Sequence, residues 1–212
     1  FGCDTTRAIT VEYLPGSKEH NWVKNLLKQD PQKYRPTIAV NHFSNDRETD
    51  EIIGGVFSRS GKQVETLVSS EKPVDILEKA LTKYLEQAGF KVITTSGWDL
   101  KPETIPSYLN TDFILGGRLK AFWVESRSDF FNSTIDSKVI FNLIIADTRS
   151  RTIIWTGQIS GSDTKKSLAH TNDFFWLDLQ NSINKSLSEA VNLVLQDEQA
   201  QKGLIPLLRV KF

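Results

Sequence analysis

The sequence predicts an α/β fold of the α+β sandwich kind: a mixed, largely antiparallel sheet with helices packed mainly on one face. Three observations predict it. Residues 73–88 carry an apolar stripe at helical spacing. Residues 113–160 hold three long runs of strand character, the last two joined by the reversal "DTRSR". A second long helical pattern follows them. Strands and helices in this order bury their apolar sides most simply as two layers.

The elements follow in chain order. Ala8, Ile9, Val11 and Tyr13, with Arg7, Thr10 and Glu12 between them, read as a first strand over 5–13 that ends at Pro15-Gly16. Trp22, Val23, Leu26 and Leu27 share one face of a short helix, with Pro31 and Pro36 as stops. "TIAVNHF" alternates as a strand, with Ile38, Val40 and His42 on one side and Ala39, Asn41 and Phe43 on the other. The polar stretch after it contains Gly54-Gly55 and ends in a short strand over 64–68.

In "KPVDILEKALTKYLEQAGF", Pro73 suits a first helical turn and Gly89 a C-terminal cap. Ile76, Leu77, Ala80, Leu81, Tyr84, Leu85 and Ala88 form its buried stripe. "KVITT" continues as a strand. Of the three later runs, 113–125, 138–146 and 151–160, the second turns Val139, Phe141, Leu143 and Ile145 to one face. The third places Ile153 and Trp155 in step with Ile159. A closing helix over about 172–199 turns Leu179, Ile183, Leu187, Ala190, Val191 and Val194 inward.

Composition bounds the function. The 212 residues are 39% hydrophobic and 25% charged, as in a globular domain. Lys plus Arg and Asp plus Glu are 26 each, so the field that draws nucleic acid is missing and no nucleic-acid partner is expected. No apolar run approaches the roughly 18 to 20 residues that span a bilayer. Cys3 is the only cysteine, which excludes an internal disulfide and a thiolate metal cluster.

Gly2 before Cys3 resembles the end of a bacterial lipoprotein signal, in which Cys3 becomes the acylated first residue. Multiple acyl chains on one cysteine give durable anchoring, at about 0.8 kcal/mol per buried methylene. Four segments result: 1–4, signal remnant and lipid-attachment site; 5–36, strand and short helix extension; 37–202, main domain; 203–212, apolar tail.

"NDRE" after a strand, Gly-Gly after "DEII", "DILEKALTKYLEQAGFKVI", "TDFILGGRLKAFWVE" and "KVIFNLIIADTRSRTIIWTGQISG" together resemble the YajG-type family of bacterial lipoproteins. They also resemble a wider group of envelope auxiliary lipoproteins. Asn110-Thr111-Asp112-Phe113 stands where the pattern more usually has an Ala-Asp-Tyr step. The resemblance implies a lipid-anchored domain facing the periplasm. The outer membrane is favoured, while Asp4 resembles the residue that retains enterobacterial lipoproteins in the inner membrane.

The candidate sites are few. His42, Asp46, Arg47, Glu48, Asp50 and Glu51 cluster after a strand, where a ligand or divalent cation could bind, though without EF-hand spacing. Solvated internal pairing is the competing reading. His20, His42 and His170 show no HxxxH or HExxH spacing, and GxSxG, GxxxxGK[ST] and GxGxxG are absent. No metal centre, cofactor or enzymatic activity is therefore expected.

Phe130-Phe131 in a polar turn are candidate partner-binding residues, and Phe174, Phe175 and Trp176 are expected to cover the core. The tail "GLIPLLRVKF" either docks on its own domain or is donated as a strand to another copy or partner. A protein partner in the envelope is the leading expectation, with a homo-oligomer left open. A carrier of a lipid or cell-wall small molecule is the alternative.

Overall fold

A computed structural model describes residues 5–16, 35–167 and 173–210. Its strands are β1 Thr5–Ile9, β2 Thr37–Asn41, β3 Ser44–Asn45, β4 Ile52–Phe57, β5 Gln63–Ser69, β6 Lys91–Thr95, β7 Phe113–Ser128, β8 Ser133–Asp147 and β9 Thr152–Ser167. Its helices are α1 Pro73–Ala88, α2 Asp173–Leu193 and α3 Glu198–Val210. The helix expected near Trp22 lies outside the described residues.

The sheet forks on β7. One edge of β7 pairs with β8 along nearly its whole length, and β8 pairs with β9, all antiparallel. The other edge takes β2 beside residues 113–115, β3 beside 118–119 and β4 beside 124–127. Beyond β2 lies β6, and beyond β4 lie β5 and β1. Residues 120–123 therefore face no strand on that edge among the described residues.

The expectation of a largely antiparallel sheet is corrected. β1–β5, β2–β6, β2–β7, β3–β7 and β4–β7 are parallel, leaving β4–β5, β7–β8 and β8–β9 antiparallel. Antiparallel hairpins are local and show in the sequence, whereas parallel partners are joined through distant crossovers. The β4 strand was also hidden, because Gly54-Gly55 reads as loop.

Two bulges re-aim side chains. Leu119 faces Phe141 and Ala121 faces Ile140, so Lys120 is the extra residue. That shift turns Phe122 and Val124 into the core and leaves Trp123 on the outer face. The second bulge sets Ile145 against Trp155 and Ala146 against Ile153. Trp155 and Ile159 stay buried, while Ile153 is exposed, out of step with the expected face.

The main core lies between the sheet and the helices. Helix α1 forms as predicted, with Pro73 in its first turn and Gly89 in the left-handed conformation at φ 108°. Its Leu77, Leu81 and Leu85 are fully buried, each contributing about 1.5–3 kcal/mol. The segment Trp98–Ile105 covers the opposite face through a smaller cluster with Ala39, Ile114 and Ala146. Phe43 joins the main core beside Ile38 and Val40, because β2 ends at Asn41 and the strict alternation ends with it.

The first strand stops at Ile9, short of the predicted Tyr13. The chain then runs along α2, where Glu12 N donates to Asn184 Oδ1 (2.9 Å) and Leu14 N to Ser188 Oγ (2.9 Å). Tyr13 donates to Asn192 Oδ1 (2.8 Å), and burial pushes its phenol up to about 12.

The expected closing helix divides in two. Asp197 Oδ1 accepts from Gln199 N and Ala200 N (both 2.9 Å), starting α3. Ala200, Leu204 and Leu208 then form a buried stripe at helical spacing. The described part of the tail, up to residue 210, is helical and packs Leu204 and Leu208 into its own domain, the first of the two expected alternatives, and it forms no strand. No described helix is long and apolar enough to cross a membrane.

Candidate functional site

The fork leaves an open crevice of about 710 Å³ beside β7 residues 120–123. The segment from Asp46 to Thr49 with Ile52 forms one wall, Gln63 and Thr66 of β5 a second, and β7 residues 120–123 the remainder. Such volumes suit a small ligand or an inserted side chain. Gln63 Nε2 donates to Thr66 Oγ1 (3.1 Å), and Trp123 Nε1 to Glu125 Oε2 (3.1 Å). The Trp123 ring thereby stands partly exposed with its polar edge held.

Arg47 closes the inner end of the gap. Its guanidinium donates to Ile52 O (3.2 Å), Phe122 O (3.2 Å) and Asp50 O (2.8 Å), and Nε donates to Asn45 Oδ1 (3.1 Å). Burial pulls the guanidinium below its ordinary value, and Asp50 opposes that shift. Its planar fork of donors stays charged and ties the loop after β3 to the start of β4 and to β7. Lys120 Nζ holds Asp46 Oδ2 at 2.5 Å, with Arg118 at 3.9 Å.

A second crevice of about 330 Å³ lies at the start of α1, lined by His42, Asp50 and Asp75 among others. The predicted acidic loop is thus divided: Asp46, Arg47 and Glu48 line the first crevice, His42 and Asp50 the second. Asp50 Oδ1 accepts from Asn45 Nδ2 (2.6 Å). His42, Asp75 and Glu78 bring ligand atoms within 4.8 Å of one another, a set of donors a divalent cation accepts. Glu78 Oε1 is engaged, however, by Phe43 N (2.7 Å) and by His42 Nδ1 (2.9 Å).

Glu78 supplies a pH test. Burial raises its carboxyl above the ordinary value, and the Phe43 N–H and His42 pull it back down. A raised folded pKa gives stability that is fully present below the unfolded value and lost as pH rises through the folded one. Glu78→Gln keeps an acceptor without that loss. The urea midpoint of the variant minus that of the wild type is expected to rise from pH 4 to pH 8; a flat or falling difference contradicts this account of Glu78.

The remaining predicted residues scatter. Cys3, His20 and His170 lie outside the described residues. Phe130 and Phe131 form the β7–β8 turn, far more exposed than buried, with Arg59 Cζ 3.2 Å over the Phe130 ring. Of the aromatic triplet at the start of α2, Phe175 is fully buried, Trp176 is half-buried with Arg7 Cζ 3.8 Å over its ring, and Phe174 is exposed.

Sequence reasoning missed Trp123, Gln63, Thr66, Asp75 and Glu78. One signal was present: Trp123 stands between two core residues, Phe122 and Val124, so period-two alternation turns it outward.

No protein-family model matches the chain, and no curated protein matches it. Among solved structures, protein XCC0632 from Xanthomonas campestris, of the DUF330 family model, aligns over 98% of this chain and 100% of its own. The identity is 12% and the TM-score 0.52. Lipoprotein GNA1162 from Neisseria meningitidis aligns over 76% of this chain and 100% of its own, at 13% identity and a TM-score of 0.34. A PelC dodecamer from Paraburkholderia phytofirmans aligns over 73% and 87%, at 13% identity and 0.38. The likeness to XCC0632 is one of fold; the YajG-type resemblance is carried by the quoted motifs alone.

Proposed function

We propose that the protein is a lipid-anchored accessory binding subunit of the bacterial cell envelope, held at a membrane through Cys3, facing the periplasm and taking a protein partner in the crevice at the sheet fork. The crevice carries this reading. It combines an outward tryptophan, amide and hydroxyl groups, and β7 residues 120–123, which have no strand beside them on that edge among the described residues. An aromatic anchor with a polar rim is the usual make-up of a binding hot spot. The ionic groups around it serve the fold: Arg47 ties three carbonyls and Asp46 is held by Lys120. A binding role accounts for them better than a catalytic one.

The second reading is a small cell-wall ligand in the same crevice, favoured by the volume of about 710 Å³. A lipid carrier fits less well, since the crevice is open and Asp46, Arg47, Glu48 and Lys120 stand among its apolar lining.

A photo-crosslinking residue in place of Gln63, in the anchored chain, tests the reading in living cells. One dominant protein adduct is expected, lost when Trp123→Ala is added. Adducts unchanged by Trp123→Ala, or none above those at exposed Ser160 on β9, would sink it.

A further inference from the structure

We infer that the end of the molecule bearing Phe130, Phe131, Phe174 and Leu177 sits on the bilayer interface, so that the domain stands on its membrane instead of hanging freely from it. The four side chains are 67%, 86%, 73% and 51% exposed. Three independent pieces of chain bring them to one pole. Ser128 pairs with Ser133 and Ser133 with Ser167, which sets the Phe130-Phe131 turn beside the end of β9, the strand that leads to α2. Phe174 and Leu177, three apart in α2, share one outward helical face while Phe175 points into the core. Phe57 pairs with Arg127, which brings the β4–β5 turn to the same pole and lays Arg59 on Phe130.

The chain enters at that pole. Thr5 pairs with Glu65 beside the β4–β5 turn, and Thr5 Oγ1 donates to Val64 O (3.4 Å). The contact of Arg7 with Trp176 ties β1 to the first turn of α2. Cys3 is two residues upstream of Thr5, a reach of at most about 7 Å. The residue proposed to carry acyl chains is thus joined to the end that exposes the aromatics, and that continuity identifies the occupant.

The charges agree with a lipid surface. Arg59 and Lys62 in the β4–β5 turn and Lys166 at the end of β9 are exposed around the aromatic side chains. Asp129 is used within its own turn, accepting from Phe130 N (2.8 Å). Arg127 is paired with Glu125, and Lys165 with Asp178. Exposed aromatics flanked by long cationic side chains are the composition that settles at headgroup level.

This inference rests on the anchored reading of Cys3 for its geometry, and the experiment separates the two. In a Cys3→Ala chain with an N-terminal histidine tag, single cysteines are placed at Phe131, at Phe174 or at Tyr108. Tyr108 is exposed near the opposite end of β7, whose 16 residues span about 50 Å. Each carries a polarity-sensitive fluorophore, and the protein is tethered to vesicles of phosphatidylethanolamine and phosphatidylglycerol containing a nickel-chelating lipid. The expected result is a blue shift and quenching by bilayer-embedded quencher at 131 and 174, and a water-like signal at 108. Water-like signals at 131 and 174, or equal shifts at all three positions, would overturn the inference. The mass of the native protein reports acylation of Cys3 separately, whichever way the vesicle measurement falls.

Discussion

Replacing Gly161 by alanine is expected to destabilise the protein by about 3 kcal/mol or more, the upper range for overpacking. A Cβ at this position would lie 2.1 Å from Ser186 O and 2.6 Å from Ala190 N, both on the backbone of α2. No rotamer change relieves a clash with backbone, so the helix must lift from β9. Lifting it also breaks a buried polar seam, in which Ser137 Oγ lies 2.8 Å from Ser182 Oγ and 2.7 Å from Ser186 Oγ, and Ser182 donates to Asp163 Oδ2 (3.0 Å). Buried hydroxyls and a carboxylate left without partners add their own desolvation cost.

The control is Gly61→Ala. That glycine has a φ of 80° but nothing within 4 Å of a new Cβ, so the change should cost only about 1 kcal/mol, through backbone conformation. Urea unfolding of both variants distinguishes space from dihedral strain. Comparable losses, or a Gly161→Ala midpoint near that of the wild type, would show that α2 does not sit on β9 as closely as described.

What the sequence conveyed was what is local. The α1 stripe, the inward set Val139, Phe141, Leu143 and Ile145, and the α2 stripe are periodicities within one element, and all are buried. The fork is non-local, because β7 meets three successive strands whose order no local pattern encodes. Gly54 misled because glycine signals a turn, whereas here it admits a close approach: a Cβ would lie 1.6 Å from Val124 O. Gly203 and Pro206 disguised α3 in the same way, although Leu204 and Leu208 keep helical spacing. For the site, the polarity of residues 46–50 was plain, but its division between two crevices depends on where β3 ends and α1 begins.

Removing the Arg47 side chain should be the most damaging change at the fork, with Arg47→Ala losing about 3 kcal/mol. Hydrogen bonds to charged groups contribute roughly 1.5–3 kcal/mol each, and water in the open crevice replaces part of that for the carbonyls it can reach. Ile52 O at the start of β4, Phe122 O on β7 and Asp50 O in the loop each lose a donor at once. Among the described residues no strand lies between β3 and β4 on this edge of β7, and Arg47 ties the loop after β3 to both β4 and β7 there. Arg47→Lys should recover less than half of the loss, because a single ammonium cannot serve carbonyls that the guanidinium reaches from two nitrogens. Urea unfolding measures the cost, and amide exchange locates it: faster exchange is expected first around residues 52–53 and 120–123, and the adduct at position 63 should fall with it. A variant that loses the adduct while keeping its stability would instead make Arg47 a contact for the partner, and the stitching role would be wrong.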